Sequence, residues 1–185
     1  MTIDRRQFLK KSCYFTAGLA SAQAFAHNPA SKFESMGERA LSVYNIHTGE
    51  QVSVPFCVEG QYLSEGIQAL DIILRDHRSN QSCAIHYALY EKMYHLQQLF
   101  NSQKPLYIIS GYRSPRSNAR LSNSSNSVAE NSLHMQGKAV DIRIPGISHR
   151  DLHKAALAMH SGGVGYYPND GFIHLDTGRT RQWKS

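Results

Sequence analysis

The sequence predicts an α+β fold, a single domain built on a mostly antiparallel sheet with flanking helices. Three observations carry that prediction. The chain has 185 residues, enough for one hydrophobic core and short for two. Hydrophobic residues make up 41% and charged residues 18%, with no low-complexity tract, which is too apolar for a disordered chain. Helical periodicity comes early and several short strand patterns come late, with some hairpin pairing, rather than in strict alternation.

The N-terminal segment stands apart from that domain. Residues 1–26 open on Asp4-Arg5-Arg6-Gln7-Phe8-Leu9-Lys10, continue through an uncharged run from Cys13 to Ala20 and end on Ala24-Phe25-Ala26. That is the layout of a secretory signal peptide. The paired arginines with Phe8 and Leu9 resemble a twin-arginine export signal, although Asp4 stands where that pattern usually has Ser or Thr. The alternative is an ordinary signal peptide in which two arginines are adjacent. Either way export is expected, and on the twin-arginine reading the twin-arginine machinery is the expected partner. The run is too short and too weakly apolar to span about 30 Å of hydrocarbon, so no stable membrane anchor is expected after cleavage. Residues 27–39 lack periodicity and read as a flexible lead-in.

The domain is expected over residues 40–185. Leu41 to Asn45 and Gln51 to Phe56 alternate apolar and polar residues around turn chemistry at His47-Thr48-Gly49-Glu50, a hairpin signal. Apolar residues at helical spacing follow Ser64, read as an N-cap, to Leu74, and recur more strongly from Ala84 to Phe100. Leu106 to Ile109 suits a buried strand, and a helix is expected from Pro115 to about Leu121. Asn123 to Ser132 is polar and reads as an exposed loop. Lys138 to Ile144 is strand-like, Ser148 caps a helix running to about His160, and Gly162–Tyr167 and Phe172–Asp176 read as two further short strands.

Charge and cysteine content exclude some functions. The net charge is +6, but Arg5, Arg6, Lys10, Lys11 and Asp4 all lie in the signal segment, leaving 16 bases against 13 acids, a net +3. No basic stripe with interleaved aromatics appears, so no nucleic-acid partner is expected. Of the cysteines beyond the signal, Cys57 and Cys83 either pair in an oxidising compartment or remain small buried residues. They have no metal-pair spacing.

The chemistry concentrates after residue 130. Ser132-Leu133-His134-Met135-Gln136-Gly137-Lys138-Ala139-Val140-Asp141 places a histidine on a loop and an aspartate in a strand, with a glycine between them where the chain can turn. In the later strand, alternation puts Phe172, His174 and Asp176 on one face, with His174 and Asp176 about 6.6–6.8 Å apart along the strand. Two imidazoles and one carboxylate make a three-ligand zinc site with the fourth tetrahedral position open for water, the condition for metal-assisted hydrolysis. Ten histidines make a chance pair possible, and a lone strand histidine is more often a hydrogen-bonded core residue. Asp141, between Val140 and Ile142, is costly to bury without a metal or a cation, and Arg143 on the same face is a candidate cation.

The pattern Ser-x-His-x-x-Gly-x-Ala-x-Asp, met here by Ser132, His134, Gly137, Ala139 and Asp141 and followed by a strand bearing His174, resembles the zinc peptidases that include D-Ala-D-Ala carboxypeptidases, VanX-type dipeptidases and the fold relatives in Hedgehog signalling domains. Ser110-Gly111-Tyr112-Arg113-Ser114, Gly162 to Pro168 and Phe172 to Gly178, behind the twin-arginine-like signal, are similar to the exported murein endopeptidase K group of Gram-negative bacteria. The resemblance covers residues 40–185 as a zinc peptidase domain.

It implies Zn2+ as cofactor, His134, Asp141 and His174 as its ligands, and Arg113 as a catalytic residue that grips a substrate carboxylate or steadies an oxyanion. It also implies a periplasmic murein endopeptidase acting on peptide cross-links of peptidoglycan, including links between two meso-diaminopimelate residues. Many relatives carry Glu or Asp three residues before the last ligand histidine, where this chain has Gly171. Asp176 is therefore the first candidate for general base, with orientation of a ligand as its other role, and Asp170 is the second candidate. Tyr166 and Tyr167 either border the cleft or pack. The rival functions are an inactive murein-binding module, favoured by Gly171, and a D-alanyl carboxypeptidase.

Overall fold

The computed structural model describes residues 37–124 and 129–185. The signal segment, the lead-in up to residue 36 and residues 125–128 of the polar loop lie outside the described residues. The predicted class holds: one eight-stranded, mostly antiparallel sheet with helices packed on it. In chain order the elements are β1 (Arg39–Asn45), β2 (Gln51–Val58), β3 (Gln61–Tyr62), α1 (Ser64–Ile73), α2 (Tyr87–Leu99), β4 (Leu106–Ser110), α3 (Pro115–Ser124), a 3-10 turn (Leu133–Gln136), β5 (Ala139–Arg143), α4 (His149–Ala158), β6 (Gly163–Tyr167), β7 (Phe172–Asp176) and β8 (Arg181–Lys184).

The spatial strand order is β3-β2-β1-β4-β5-β7-β6-β8. The β1–β4 and β6–β8 pairs are parallel and the rest antiparallel. Period-two alternation sorts the sheet into an apolar and a polar face. Val43, Ile108, Val140, Ile142, Ile173 and Leu175 meet Leu70, Leu89, Met93, Leu96, Leu152 and Ala156 of α1, α2 and α4 in one buried core. The opposite face at β5, β7, β6 and β8 carries the polar residues of the site.

Some boundaries differ from the expectation for local reasons. Ser64 is the first residue of α1, and Leu63, with no capping side chain, precedes it, because the Leu63 amide is already committed to the Phe56 carbonyl. The second helix begins at Tyr87 rather than Ala84. The amide of Ile85 donates to Asp71 and that of His86 to the Gly137 carbonyl, so this stretch is held extended. Ser148 caps α4 as expected, accepting from the Asp151 amide. Two strands were not foreseen: β3, two residues long, and β8, whose Arg-Gln-Trp-Lys run is too short to announce itself.

Cys57 and Cys83 are both free. Cys57 is fully buried and accepts from Arg39 Nη2 at 2.6 Å, while Cys83 lies against Gly137. No helix among the described residues is long and apolar enough to cross a membrane.

Candidate metal centre

Strand register brings the candidate ligands together. β5 and β7 pair antiparallel with Asp141 directly opposite His174, so both side chains project from the same face. His134 arrives from the 3-10 turn. Ser132 starts that turn by accepting from the His134 amide, and Gly137 ends it in the left-handed conformation (φ 64°). A side chain at Gly137 would also collide with the Ala84 backbone.

The donor atoms form a small triangle. His134 Nε2 lies 3.3 Å from both His174 Nδ1 and Asp141 Oδ2, and His174 Nδ1 lies 2.8 Å from Asp141 Oδ1. Ligands about 2.0–2.1 Å from a tetrahedral zinc stand about 3.3 Å apart, so the triangle has the size of such a site. All three residues are buried. Burial by itself would raise the pKa of Asp141, and the two imidazoles hold it below the usual carboxylate range. Burial likewise disfavours charge on His174, yet Asp141 and Asp176 push its pKa up to about 9. The pocket thus favours a positive charge at the point where the donors converge.

Each histidine is also held from behind, which fixes the nitrogen turned to the triangle. His134 Nδ1 lies 2.8 Å from the Gly111 carbonyl, to which it donates. His174 Nε2 lies 3.1 Å from Asp176 Oδ2. Asp176 shares the His174 face, as expected, but it is sealed off from the cleft with 0% exposure. Its Oδ1 accepts from the amides of Gly163 and Gly178, both at 2.8 Å, and from Arg181 Nη1 at 3.1 Å, while its Oδ2 accepts from Arg181 Nη2 at 2.6 Å. Lys92, a buried lysine on α2, donates to its backbone carbonyl at 2.6 Å. With every acceptor position engaged, Asp176 has no lone pair turned to the cleft. These contacts set Asp176 behind the His174 ring rather than in the cleft.

Two glycines make this arrangement possible. In the β6–β8 register Gly163 faces Arg181 and Gly165 faces Trp183. With no side chain at either position, Arg181 reaches across β6 to Asp176, and the Trp183 indole lies across it to within 5.1 Å of the His174 ring. A Cβ on Gly163 would strike both Arg181 and Asp176, and one on Gly165 would sit 2.6 Å from the indole.

A cleft of about 380 Å³ opens over the triangle, lined by Arg113, Asp170, Tyr167, Phe172 and Trp183 among others. Asp170 is exposed at its rim, outside the donor set. Arg113 Nη2 is 3.9 Å from Asp141 Oδ2, its contacts to Ser110 and Asn118 are both 3.3 Å long, and its Nε is buried without a partner among the described residues. Arg143, the expected cation for Asp141, is instead directly opposite Tyr107 on β4 and lies over that ring, 5.3 Å from its centroid. Gly171 (φ 75°) closes the β6–β7 turn against His149, so it lies in the hairpin bend rather than in the cleft wall. The two adjacent tyrosines separate: Tyr166 stacks on His153 of α4 and Tyr167 lines the cleft.

The supporting residues Gly111, Gly163, Gly165, Lys92, Arg181 and Trp183 were not picked out from sequence. The Gly-x-Gly spacing at 163–165 is the signal that could have marked Gly163 and Gly165 as places where side chains cross the strand; nothing in the sequence singles out Lys92.

With this geometry in view, the likeness to known proteins is informative. The family model described as peptidoglycan L,D-endopeptidase MepK matches residues 34–183. The peptidoglycan L,D-endopeptidase MepK of Escherichia coli (strain K12) is 40% identical over 182 residues, covering 98% of this chain and 100% of the relative. The probable peptidoglycan L,D-endopeptidase MepK of Haemophilus influenzae is 40% identical over 147 residues, 79% of each chain. A match of that length, running through the histidine–aspartate triangle and both glycine positions of β6, means that the chain belongs to the peptidoglycan L,D-endopeptidase MepK family.

Proposed function

We propose that the protein is a zinc-dependent murein endopeptidase that hydrolyses peptide cross-links of peptidoglycan in the periplasm, with residues 1–26 directing export by the twin-arginine route and residues 40–185 forming the peptidase domain. The observation that carries the reading is the buried triangle of His134 Nε2, His174 Nδ1 and an Asp141 carboxylate oxygen opening onto the cleft. Two nitrogens and one oxygen at tetrahedral spacing suit zinc, and a three-residue donor set is the pattern of a catalytic rather than a closed structural site. Membership of the family supports peptidoglycan as the substrate; links between two meso-diaminopimelate residues are the bonds proposed for cleavage, as the resemblance of the sequence implies.

His134, Asp141 and His174 would hold a zinc ion there, which would supply Lewis acidity toward an amide carbonyl and would make attack by water possible near neutral pH. The chain's own residues do the rest. Asp176 and the Gly111 carbonyl keep each imidazole in the tautomer that turns a lone pair to the metal. Asp170, the carboxylate of the cleft wall outside the donor set, accepts the water proton and returns it to the leaving amine. Arg113, with a free Nε and loosely engaged Nη atoms, holds a substrate carboxylate or the developing oxyanion.

The test takes the mature protein, measures bound metal, and follows purified cross-linked murein by chromatography. About one zinc per chain with loss of cross-linked dimers is expected. Bound zinc and bound murein without cleavage would make the protein a wall-binding module, and release of terminal D-alanine alone would make it a carboxypeptidase.

A further inference from the structure

The aromatic wall formed by β6, β7 and β8 has a feature that the metal site and its supports leave unused. Tyr167 ends β6 directly opposite Phe172 of β7, and the two rings stack with centroids 4.6 Å apart and planes 16° from parallel. Trp183 Nε1 donates to the Tyr167 hydroxyl at 3.0 Å. An indole N–H can only donate, so the phenol oxygen must accept here. Its own O–H proton is left over, and no partner receives it among the described residues.

The same indole lies against His174, one of the donor histidines, so a single rigid ring sets the phenol's position relative to the metal triangle. Gly165 is what lets that ring lie flat across β6. Tyr167 and Arg113 both line the cleft over the triangle. A neutral hydroxyl with a free proton, held against slippage by one stack and one hydrogen bond, is a preorganised donor that needs no rearrangement when charge develops on a substrate oxygen.

We infer that Tyr167 is a further catalytic residue, its hydroxyl donating a hydrogen bond to the carbonyl oxygen of the scissile amide as that oxygen becomes anionic, with Trp183 as the residue that positions it. This inference rests on the endopeptidase reading above. No covalent bond to the protein is involved: the phenol keeps its proton throughout and releases the oxygen when the carbonyl re-forms.

The experiment compares the mature wild type with Tyr167→Phe and Trp183→Phe, each loaded with zinc, on purified cross-linked murein fragments. A second readout is binding of a phosphinate isostere of a dipeptide, whose tetrahedral oxygens imitate the charged state, measured beside binding of the ordinary dipeptide. Tyr167→Phe is expected to lower kcat about 10²-fold, with zinc content, thermal midpoint and KM unchanged, and to weaken the phosphinate far more than the dipeptide. Trp183→Phe keeps an aromatic ring against His174 but loses the N–H, and is expected to lower kcat by a smaller factor in the same pattern. Tyr167→Phe with wild-type kcat, or with a loss confined to KM and shared equally by phosphinate and dipeptide, would overturn the assignment. Wild-type kcat in Trp183→Phe would remove the positioning role. A wild type that neither cuts murein nor binds the phosphinate would overturn the endopeptidase reading, and this donor with it. That result is distinguishable, because in the other cases the wild type is active.

Discussion

The two histidines of the triangle are held by different means. His134 sits on a single 3-10 turn, its back nitrogen bonded to a neutral backbone carbonyl, that of Gly111. His174 sits mid-strand in β7, its back nitrogen bonded to a fully buried carboxylate that is itself clamped by Arg181 and two backbone amides. A carbonyl bond is made by chain geometry and survives most side-chain changes. A buried carboxylate needs its cations and donors to remain, since an unpaired charge in such a place is strongly destabilising. The turn therefore depends on backbone shape, and the strand on a network reaching through β6 to β8 and α2.

The largest effect should hide this difference. His134→Ala and His174→Ala each remove a donor from a three-residue set, so each should take bound zinc from about one per chain to none and abolish hydrolysis while the circular dichroism of the fold persists. Full activity in either variant would sink the metal assignment.

The contrast should emerge behind the histidines. Asp176→Asn should weaken zinc binding about 10–100-fold, as read by chelator competition, while turnover recovers at saturating zinc, as the proposed proton transfer through Asp170 requires. Asp170→Asn should do the reverse, keeping zinc affinity and losing turnover. If Asp176→Asn stays inactive when fully loaded, Asp176 returns as the base.

A smaller effect is expected from Gly163→Ala. The added methyl meets both Arg181 and Asp176 and must push the guanidinium aside, so a loss of about 1–3 kcal/mol of stability in urea is expected, as for other overpacked sites. The same change at exposed Gly146 meets nothing within 4 Å but sits at φ 90°, so it too should lower stability by backbone strain while leaving zinc affinity untouched.

The smallest effect belongs to the turn. Asp76 is buried and accepts from the amide and hydroxyl of Ser114, next to Arg113, whose amide donates to the His134 carbonyl. Burial alone would raise its pKa, but hydrogen bonds from Ser117, Ser114 and Arg78 outweigh that and hold the carboxyl well below its usual range. A folded pKa below the unfolded one gives stability that is present above the unfolded value of about 3.9 and is lost as the pH falls toward the folded one. Stability curves below about pH 4 should accordingly be steeper for wild type than for Asp76→Asn, and parallel curves would remove Asp76 from the account.

Much of this was legible in the sequence because it is written in local periodicity. The hairpin of β1 and β2, the capped α4, the apolar β4 and the alternation of β7 all follow from patterns within about 20 residues. The three residues that cluster in the fold were also named from sequence, since His134 and Asp141 lie on one short motif that resembles a known signature and His174 on a strand of fixed face. Arg143 misled because period two specifies a face but not a neighbour, and Tyr107 on β4 occupies the space between. The surroundings of Asp176 were out of reach for the same reason: it does share the His174 face, yet its back is closed by a strand that begins five residues later.

By itself, then, the sequence determined the α+β class and most of the elements, because spacing along a chain sets which side chains share a face, while the candidate donors rested on the family resemblance of the His134 to Asp141 motif and the His174 strand. Tertiary structure alone decided which carboxylate looks into the cleft and which supports a ligand from behind. That choice depends on the parallel pairing of β6 with β8, on Gly163 and Gly165 leaving room for Arg181 and Trp183 to cross, and on Lys92 arriving from a distant helix. These contacts join residues up to 84 positions apart, and they exist only once the sheet has closed.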